Sequence, residues 1–122
     1  MKLIHSDLLK FAFEFANQSK KILKNNYFKK FSVEEKDDGS LVTNIDKEIE
    51  ERFREKLKKK FPQHGVIGEE FGNEKENNEF VWIIDPLDGT HSFIAGKPLF
   101  GTLISCTKNS KPIIGLIDIP IL

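Results

Sequence analysis

An apolar run that ends in an acidic turn is the feature that most limits how this chain can fold. Residues 80–84 read Phe-Val-Trp-Ile-Ile, and a continuous run of this length is typical of a strand buried on both faces. The run leads directly into residues 85–90, which read Asp-Pro-Leu-Asp-Gly-Thr. The sequence therefore predicts a buried strand whose end carries two carboxylates, Asp85 and Asp88.

Two helices are predicted from apolar side chains that recur at helical spacing. The predicted helices are residues 6–27 and 43–60. Either Thr43 or Asn44 can act as the N-cap of the second helix, because both side chains accept hydrogen bonds from free backbone N–H groups. Glu50 and Arg54 in that helix are spaced for an i,i+4 ion pair.

Short strands occupy most of the remaining chain. They are expected at residues 31–36, 66–67, 80–84, 99–107 and 113–119. Residues 37–40 form a turn around Gly39, and residues 108–111 join the last two strands as a hairpin. Residues 72–79 are polar and acidic, which predicts an exposed loop. Since no repeat or linker is visible, the chain is predicted to be one α+β unit.

Composition excludes several classes of protein. The 122 residues are 39% hydrophobic and 31% charged, and no apolar run reaches the roughly 20 residues that a membrane span needs. Nineteen basic and 19 acidic side chains give zero net charge, without the basic excess of a nucleic-acid binder. We therefore expect no membrane or nucleic-acid partner.

Cysteine usage and the N-terminal sequence bear on cell location. Cys106 is the single cysteine, so no internal disulfide can form, and its apolar surroundings predict a buried structural thiol. Residues 1–4 do not lead into a signal peptide, because Lys10 and Glu14 interrupt the apolar region that one requires. A soluble, cytoplasmic protein is expected.

Acidic residues at strand ends and at a helix start indicate a metal site. Asp85, Asp88 and Glu69 follow or end predicted strands, and Asp46 lies in the first turn of the second helix. Carboxylates that converge on one rim of a sheet repel each other and need a cation or a shared proton. An all-oxygen set favours Mg²⁺ or Mn²⁺ over zinc. A plain turn and solvated surface acids explain the same residues equally well.

The residues around these carboxylates suit an anionic ligand. Pro86 restricts Asp85 to an extended backbone, and Gly89 allows the chain to approach a ligand closely. Thr90 offers a hydroxyl and a backbone N–H, and a helical turn beginning there would favour a phosphate. Metal ions beside an anion cradle indicate phosphoryl chemistry.

Three segments together resemble the inositol monophosphatase family. Residues 85–90, followed by Phe93 and by Gly-Lys-Pro at 96–98, resemble the family signature. Residues 41–46 resemble its VT-x-x-D helix start, and residues 67–70 resemble its GEE segment. The resemblance covers essentially all 122 residues. It implies the N-terminal part of a layered αβαβα sugar-phosphatase fold, with two helices packed on an antiparallel-rich sheet.

The resemblance also implies a set of metal ligands. Glu69, Asp85 and the backbone carbonyl of Leu87 would bind the first Mg²⁺. Asp88 would bind a second Mg²⁺, which Asp85 bridges, and a complete site would hold two or three ions. Lys36 matches a basic position near the family's site, although a surface lysine beside a turn is an equal explanation.

Substrate binding and proton transfer are implied in the same way. Asp88, Gly89 and Thr90 would bind the substrate phosphate, the last two through their backbone N–H groups. The Thr90 hydroxyl, linked to Asp46, would help to deprotonate the attacking water, which Glu69 would orient. The implied catalytic residues are therefore Glu69, Thr90 and Asp46.

One branch of the family is matched best. His91, together with the string Pro-Leu-Phe-Gly-Thr-Leu-Ile at residues 98–104, resembles histidinol-phosphate phosphatases, and residues 114–122 fit the same branch. The implied reaction is Mg²⁺-dependent hydrolysis of a small phosphorylated metabolite by metal-activated water. The substrate would be histidinol phosphate, in histidine biosynthesis, with inositol phosphate as the alternative. Phosphatases of sulfated nucleotides or of fructose bisphosphate fit less well, because they differ just after Gly89.

Family members are about twice as long as this chain. Their C-terminal half carries a WD-x-A-A-G-like segment whose aspartate completes the second metal site, whereas the single tryptophan here, Trp82, precedes Ile83. Residues 1–122 are therefore expected to be a truncated N-terminal half with an incomplete set of Mg²⁺ ligands. Another class remains open, a non-catalytic remnant or interaction module that forms a homodimer or associates with a missing C-terminal half.

Overall fold

The structure is a computed structural model, and it describes residues 5–29 and 31–122. Helices and strands are interspersed along this part of the chain. The helices are α1 (His5–Asn26), α2 (Asn44–Lys60) and α3 (Thr90–Ile94). The strands are β1 (Val33–Glu35), β2 (Leu41–Thr43), β3 (Gly65–Gly68), β4 (Gly72–Glu74), β5 (Phe80–Asp88), β6 (Gly101–Lys108) and β7 (Lys111–Asp118). Residues 1–4, used above to argue against a signal peptide, lie outside the described residues.

The strands form a two-stranded hairpin and a five-stranded sheet. β1 pairs with β2, and the larger sheet has the order β4-β3-β5-β6-β7. In this sheet only β3 and β5 pair in parallel, and all the other neighbouring strands pair antiparallel. The predicted α+β class with an antiparallel-rich sheet is confirmed.

Helices α1 and α2 cover one face of the sheet. The apolar stripe of α1 and that of α2 are both buried; α2 packs on the central strand β5, and α1 packs mainly on β6 and β7. Trp82 of β5 is fully buried and packs edge-to-face against Phe11 of α1 and Phe53 of α2, with ring centroids 5.2 and 6.0 Å apart. Cys106 is also fully buried, as predicted. Within the described residues, no helix is long and apolar enough to cross a membrane.

Two details of the predicted strands are wrong. Residues 72–79 were expected to be an exposed loop, but Gly72–Glu74 forms β4 and pairs with β3. Its side chains are all exposed, so their polarity says nothing about the backbone pairing. The run at 80–84 was expected to be buried on both faces. Val81 is buried, yet Ile83 on the same face is 41% exposed, because the helices cover only the opposite face.

A histidine is buried among aromatic rings at the start of β3. His64 is 7% exposed and stacks between Phe61 and Phe80, with ring centroids 4.5 and 4.8 Å away. The indole N–H of Trp82 donates to its Nδ1 at 3.0 Å. Indole is only a donor, so this imidazole nitrogen must be unprotonated. Burial accordingly lowers the pKa of His64 from 6.5 to about 4.

The free energy of unfolding should therefore depend on pH through His64. Between pH 6.5 and about 4 the unfolded chain binds a proton at this residue and the folded chain does not. Stability then falls as the pH falls through this window, by at most about 1.4 kcal/mol per pH unit from this one group. Urea denaturation at several pH values, with His64→Gln as the partner variant, measures the effect.

Glutamine keeps an acceptor for the Trp82 N–H but does not titrate in this range. The carboxyl groups contribute equally to the pH dependence of stability in both proteins. Their contribution therefore cancels when the two free energies of unfolding are subtracted. The two proteins should therefore converge in stability as the pH falls from 6.5 to 4. A difference that stays constant across this range would contradict a neutral, buried His64.

Candidate metal and phosphate site

The candidate site is built around an irregularity in the pairing of β5 with β6. Asp85 pairs with Leu103 and Asp88 with Gly101, so three steps along β5 oppose two steps along β6. A bulge of this kind redirects the strand and frees backbone groups from the ladder. It lies at residues 85–88, where the sequence predicted that a strand ends in two carboxylates.

A buried hydroxyl group donates to the freed carbonyl of Pro86. The hydroxyl of Thr102, fully buried on β6, donates to that carbonyl at 2.9 Å. Ser19 of α1 lies 2.6 Å from the same hydroxyl. Because the single proton of Thr102 is committed to Pro86, Ser19 must be the donor in this pair. The bulge is thus held from both the neighbouring strand and the first helix.

Gly89 turns the chain from the strand into the short helix α3. Its φ of +85° lies in the left-handed region, and it serves as the N-cap of α3 at Thr90. A Cβ atom at this position would lie 2.6 Å from the backbone oxygen of Leu99. Only glycine satisfies both the torsion and the close approach. A helical turn beginning at Thr90, which was expected only conditionally, is present.

The start of α2 brings a third carboxylate to this turn. Thr43 is the N-cap, and it forms a capping box in which the Asp46 carboxylate accepts from the Thr43 backbone N–H at 3.0 Å. The Thr90 hydroxyl lies 3.4 Å from the other Asp46 oxygen and 3.1 Å from the carbonyl of Leu87. Burial raises the pKa of Asp46, more than its hydrogen bonds with Thr43 lower it.

Glu69 reaches the same edge of the sheet because β3 and β5 are parallel. Gly68 is aligned with Ile84, so Glu69 follows β3 at the level where β5 continues into Asp85. The Glu69 side chain is 73% exposed and its nearest cation is Lys36, with 3.9 Å between Nζ and Oε2. Glu69 is therefore at the surface, beside the bulge.

Lys36 connects the β1–β2 hairpin to this region. Its ammonium group lies 2.5 Å from Oε1 of Glu70, whose side chain is only 4% exposed. Burial alone would lower the pKa of Lys36, but the hydrogen bond and charge of Glu70, with the charges of Glu69 and Asp38, raise it instead. Lys36 therefore contacts two carboxylates and remains charged at neutral pH.

Asp85 is the carboxylate most affected by its neighbours. Its pKa is raised to about 6, first by burial and then by the charges of Glu69, Asp88 and Asp46, against one backbone hydrogen bond from Leu87. Four carboxylates therefore share one region with little positive charge to offset them. A divalent cation there would relieve the repulsion and lower the pKa of Asp85 towards its ordinary value.

The donors present fit Mg²⁺ by their chemistry. Carboxylate and carbonyl oxygens are its preferred ligands, and it commonly binds through one or two carboxylates while keeping several waters. In residues 5–29 and 31–122, no three His, Cys, Asp or Glu side chains lie close enough together to hold one metal ion. A cation here would therefore use one or two of these carboxylates, with carbonyl oxygen or water.

Two predicted residues of the site are exposed to solvent. Asp88 is exposed at the end of β5. His91 is exposed on α3, and among the described residues its side chain makes no hydrogen bond or ion pair. The predicted residues that the structure brings to one edge of the sheet are Lys36, Asp46, Glu69, Asp85, Leu87, Asp88, Gly89 and Thr90.

Two groups of supporting residues were not anticipated from the sequence. The hydroxyls of Ser19 and Thr102 gave no signal, because 83 positions separate them. Glu50 was assigned only to an ion pair with Arg54, yet its carboxylate also accepts the backbone N–H groups of Glu70 and Phe71. Its position between Ile49 and Phe53, in the apolar stripe of α2, was the available signal.

Sequence and fold both match one known family. The sequence model of the inositol monophosphatase family matches residues 5–122. The chain therefore belongs to the inositol monophosphatase family. Among solved structures, the extragenic suppressor protein suhB from Bartonella henselae has a TM-score of 0.88 at 27% identity, over 94% of this chain and 46% of that one. An IMPase from Thermotoga maritima has a TM-score of 0.86 at 29% identity, over 94% and 45%.

Similar sequences carry several different names. The chloroplastic bifunctional phosphatase IMPL2 of Arabidopsis thaliana is 45% identical, over 88% of this chain and 32% of that protein. A fructose-1,6-bisphosphatase/inositol-1-monophosphatase of Aquifex aeolicus is 43% identical, over 81% and 38%. A histidinol-phosphatase of Chlorobaculum parvum is 40% identical, over 93% and 44%. The chain thus spans less than half the length of these relatives.

Proposed function

We propose that this chain provides the metal- and phosphate-binding part of a Mg²⁺-dependent phosphomonoesterase. The observation that carries the proposal is the bulge at residues 85–88, where burial and then the charges of Glu69, Asp88 and Asp46 raise the pKa of Asp85. Proteins of the inositol monophosphatase family are generally Mg²⁺-dependent. Glu69, Asp85 and the Leu87 carbonyl would hold one ion, and Asp88 would contribute to a second.

The chain's own residues have separate roles in this proposal. A bound Mg²⁺ would supply positive charge for the phosphate ester and for the water that attacks it. Gly89 and Thr90 would bind phosphate oxygens through backbone N–H groups at the start of α3. The Thr90 hydroxyl would pass a proton from the water towards Asp46, whose raised pKa suits it to receive one.

Histidinol phosphate is the substrate that we propose first. His91 and the string at residues 98–104 favour it, and the Chlorobaculum parvum relative is named a histidinol-phosphatase. Inositol phosphate is the second candidate, because a relative from Solanum lycopersicum named inositol monophosphatase 3 is 38% identical over 91% of this chain. The imidazole of His91 is exposed and free to contact the organic part of a substrate.

Phosphate release tests the proposed function. It should be measured with and without Mg²⁺, on histidinol phosphate, inositol 1-phosphate and fructose 1,6-bisphosphate. Both the 122-residue chain and the longest natural reading frame that contains it should be used. We expect Mg²⁺-dependent release, fastest from histidinol phosphate, and a loss of at least about 100-fold in kcat/KM for Asp85→Asn.

Glu55→Gln is the matched control, because Glu55 is an exposed acid of α2 outside the carboxylate group around Asp85. It should leave kcat/KM unchanged. Failure of the longer protein to release phosphate from any of the three esters would argue against the proposal. Release by the longer protein alone would assign the 122-residue chain to the non-catalytic class, as one part of an enzyme.

A further inference from the structure

A fully buried carboxylate lies behind the candidate site. The Glu50 side chain is 0% exposed, and on α2 it lies between the buried apolar residues Ile49 and Phe53. An isolated charge in such a place is strongly unfavourable, so it must be paired and hydrogen-bonded. Replacing a buried ion pair with apolar residues is often neutral for stability. Stability alone therefore does not explain why a charged residue lies at this position.

The partners of Glu50 belong to the segment that carries Glu69. One carboxylate oxygen accepts the backbone N–H of Glu70 at 3.1 Å, and the other accepts that of Phe71 at 2.9 Å. A Cβ atom on Gly68 would lie 2.6 Å from the same carboxylate. The backbone on both sides of Glu69 therefore packs directly against one side chain of α2.

Arg54 extends this contact to the far side of the turn. Its guanidinium lies 3.0 Å from Glu50 and 3.1 Å from Glu74, and it also donates to the carbonyl of Gly72. Its side chain is only 11% exposed. Glu50 and Arg54, here called the buried ion pair, thus hold residues 68–72 between the ends of β3 and β4.

Within this held segment, Glu69 turns its side chain outward. That side chain is 73% exposed, while its neighbour Glu70 is 4% exposed. Glu69 has no hydrogen-bonded partner of its own among the described residues, and its nearest cation is 3.9 Å away. The location of its carboxylate beside Asp85 therefore depends on the backbone that the buried ion pair fixes.

We propose that Glu50 is a positioning residue, which acts through the backbone of residues 68–72 to hold the Glu69 carboxylate at the metal site. The proposal rests on the function proposed above, since it assumes that Glu69 binds a cation. Replacing a residue that supports a metal ligand typically weakens metal affinity by about 10–100-fold. Glu50 should behave in this way without touching metal or substrate.

The test compares Glu50→Gln with the neighbouring Glu51→Gln, since Glu51 is exposed on the same helix. Mn²⁺ affinity, measured by water-proton relaxation on folded chain, should weaken about 10–100-fold in E50Q and remain unchanged in E51Q. Amide hydrogen exchange at Glu70 and Phe71 should accelerate in E50Q, while Ile84 and Ile104 in the central strands keep their protection.

A double variant separates positioning from a general loss of stability. Glu69→Gln should weaken Mn²⁺ binding by itself, and adding E50Q to it should cost less than about twofold more, because both changes remove the same ligand. If E50Q does not fold, Arg54→Lys keeps the positive charge but loses the forked contacts to Gly72 and Glu74. It should still weaken Mn²⁺ binding several-fold.

The failure of each idea gives a different result. Absence of Mn²⁺ binding by the unaltered chain would overturn the proposed metal site, and the positioning role with it. Unchanged Mn²⁺ affinity in E50Q, or in R54K where E50Q does not fold, would overturn the positioning role alone. Full additivity of E50Q and E69Q would do the same, because it would mean that Glu50 does not act through Glu69.

Discussion

Replacing Trp82 with alanine is expected to lower the free energy of unfolding by about 3–5 kcal/mol. The side chain is fully buried, and it lies against Phe11, Phe53 and Phe61 at ring-centroid distances of 5.2, 6.0 and 6.5 Å. Its removal leaves a cavity where both helices meet the sheet. It also leaves Nδ1 of His64 without the donor that it now has.

The next residue along the strand provides the control. Ile83 points to the other face and is 41% exposed, so Ile83→Ala should cost no more than about 1–1.5 kcal/mol. Trp82 is the only tryptophan, so urea unfolding must be followed by far-ultraviolet circular dichroism instead of fluorescence. Equal losses from the two variants would mean that the helices do not pack on the Trp82 face.

The second large effect is expected at Gly89. Gly89→Ala should destabilise the chain by about 2–4 kcal/mol, because a left-handed alanine costs about 1–2 kcal/mol and the new Cβ atom also clashes. That atom would lie 2.6 Å from the backbone oxygen of Leu99, and a backbone group cannot simply rotate away. Relief of the clash would displace α3 and with it the Thr90 hydroxyl.

Gly39 is a closely matched control for this substitution. Its φ is also +85°, and a Cβ atom there would meet nothing within 4 Å. Gly39→Ala therefore reports the torsional cost alone, about 1–2 kcal/mol. Urea denaturation of both variants isolates the clash as the difference between them. If G39A and G89A were equally destabilised, close packing of the 85–90 turn against Leu99 would be refuted.

Local sequence patterns were sufficient for most of the fold. The apolar stripes of α1 and α2, the capping side chain of Thr43 and the hairpin at residues 108–111 each depend on neighbours within a few positions. β4 was missed because an edge strand can be formed by backbone pairing alone. The exposure of Ile83 was missed because an apolar run does not reveal which face of a sheet is covered.

The candidate site was also predictable only in part, from residues that are close together in the sequence. Asp85, Gly89 and Thr90 lie in one short segment, where proline and glycine chemistry already indicated a turn. The supporting contacts could not be anticipated, because they join side chains to backbone groups far away in sequence. Glu50 is 20 and 21 positions from its two N–H partners, a separation that no periodic pattern encodes.

The hydrogen bond between Ser19 and Thr102 has a consequence for how uniquely the chain folds. It is a polar contact where α1 packs against the sheet through mostly apolar residues, and those could tolerate some sliding or rotation of the helix. A helix turned by one residue would move Ser19 away by about 100° and leave the Thr102 hydroxyl without its donor. This contact therefore favours one position of α1 over others that would bury a similar apolar area. Because Thr102 also donates to the Pro86 carbonyl, the position of α1 and the conformation of the bulge are linked.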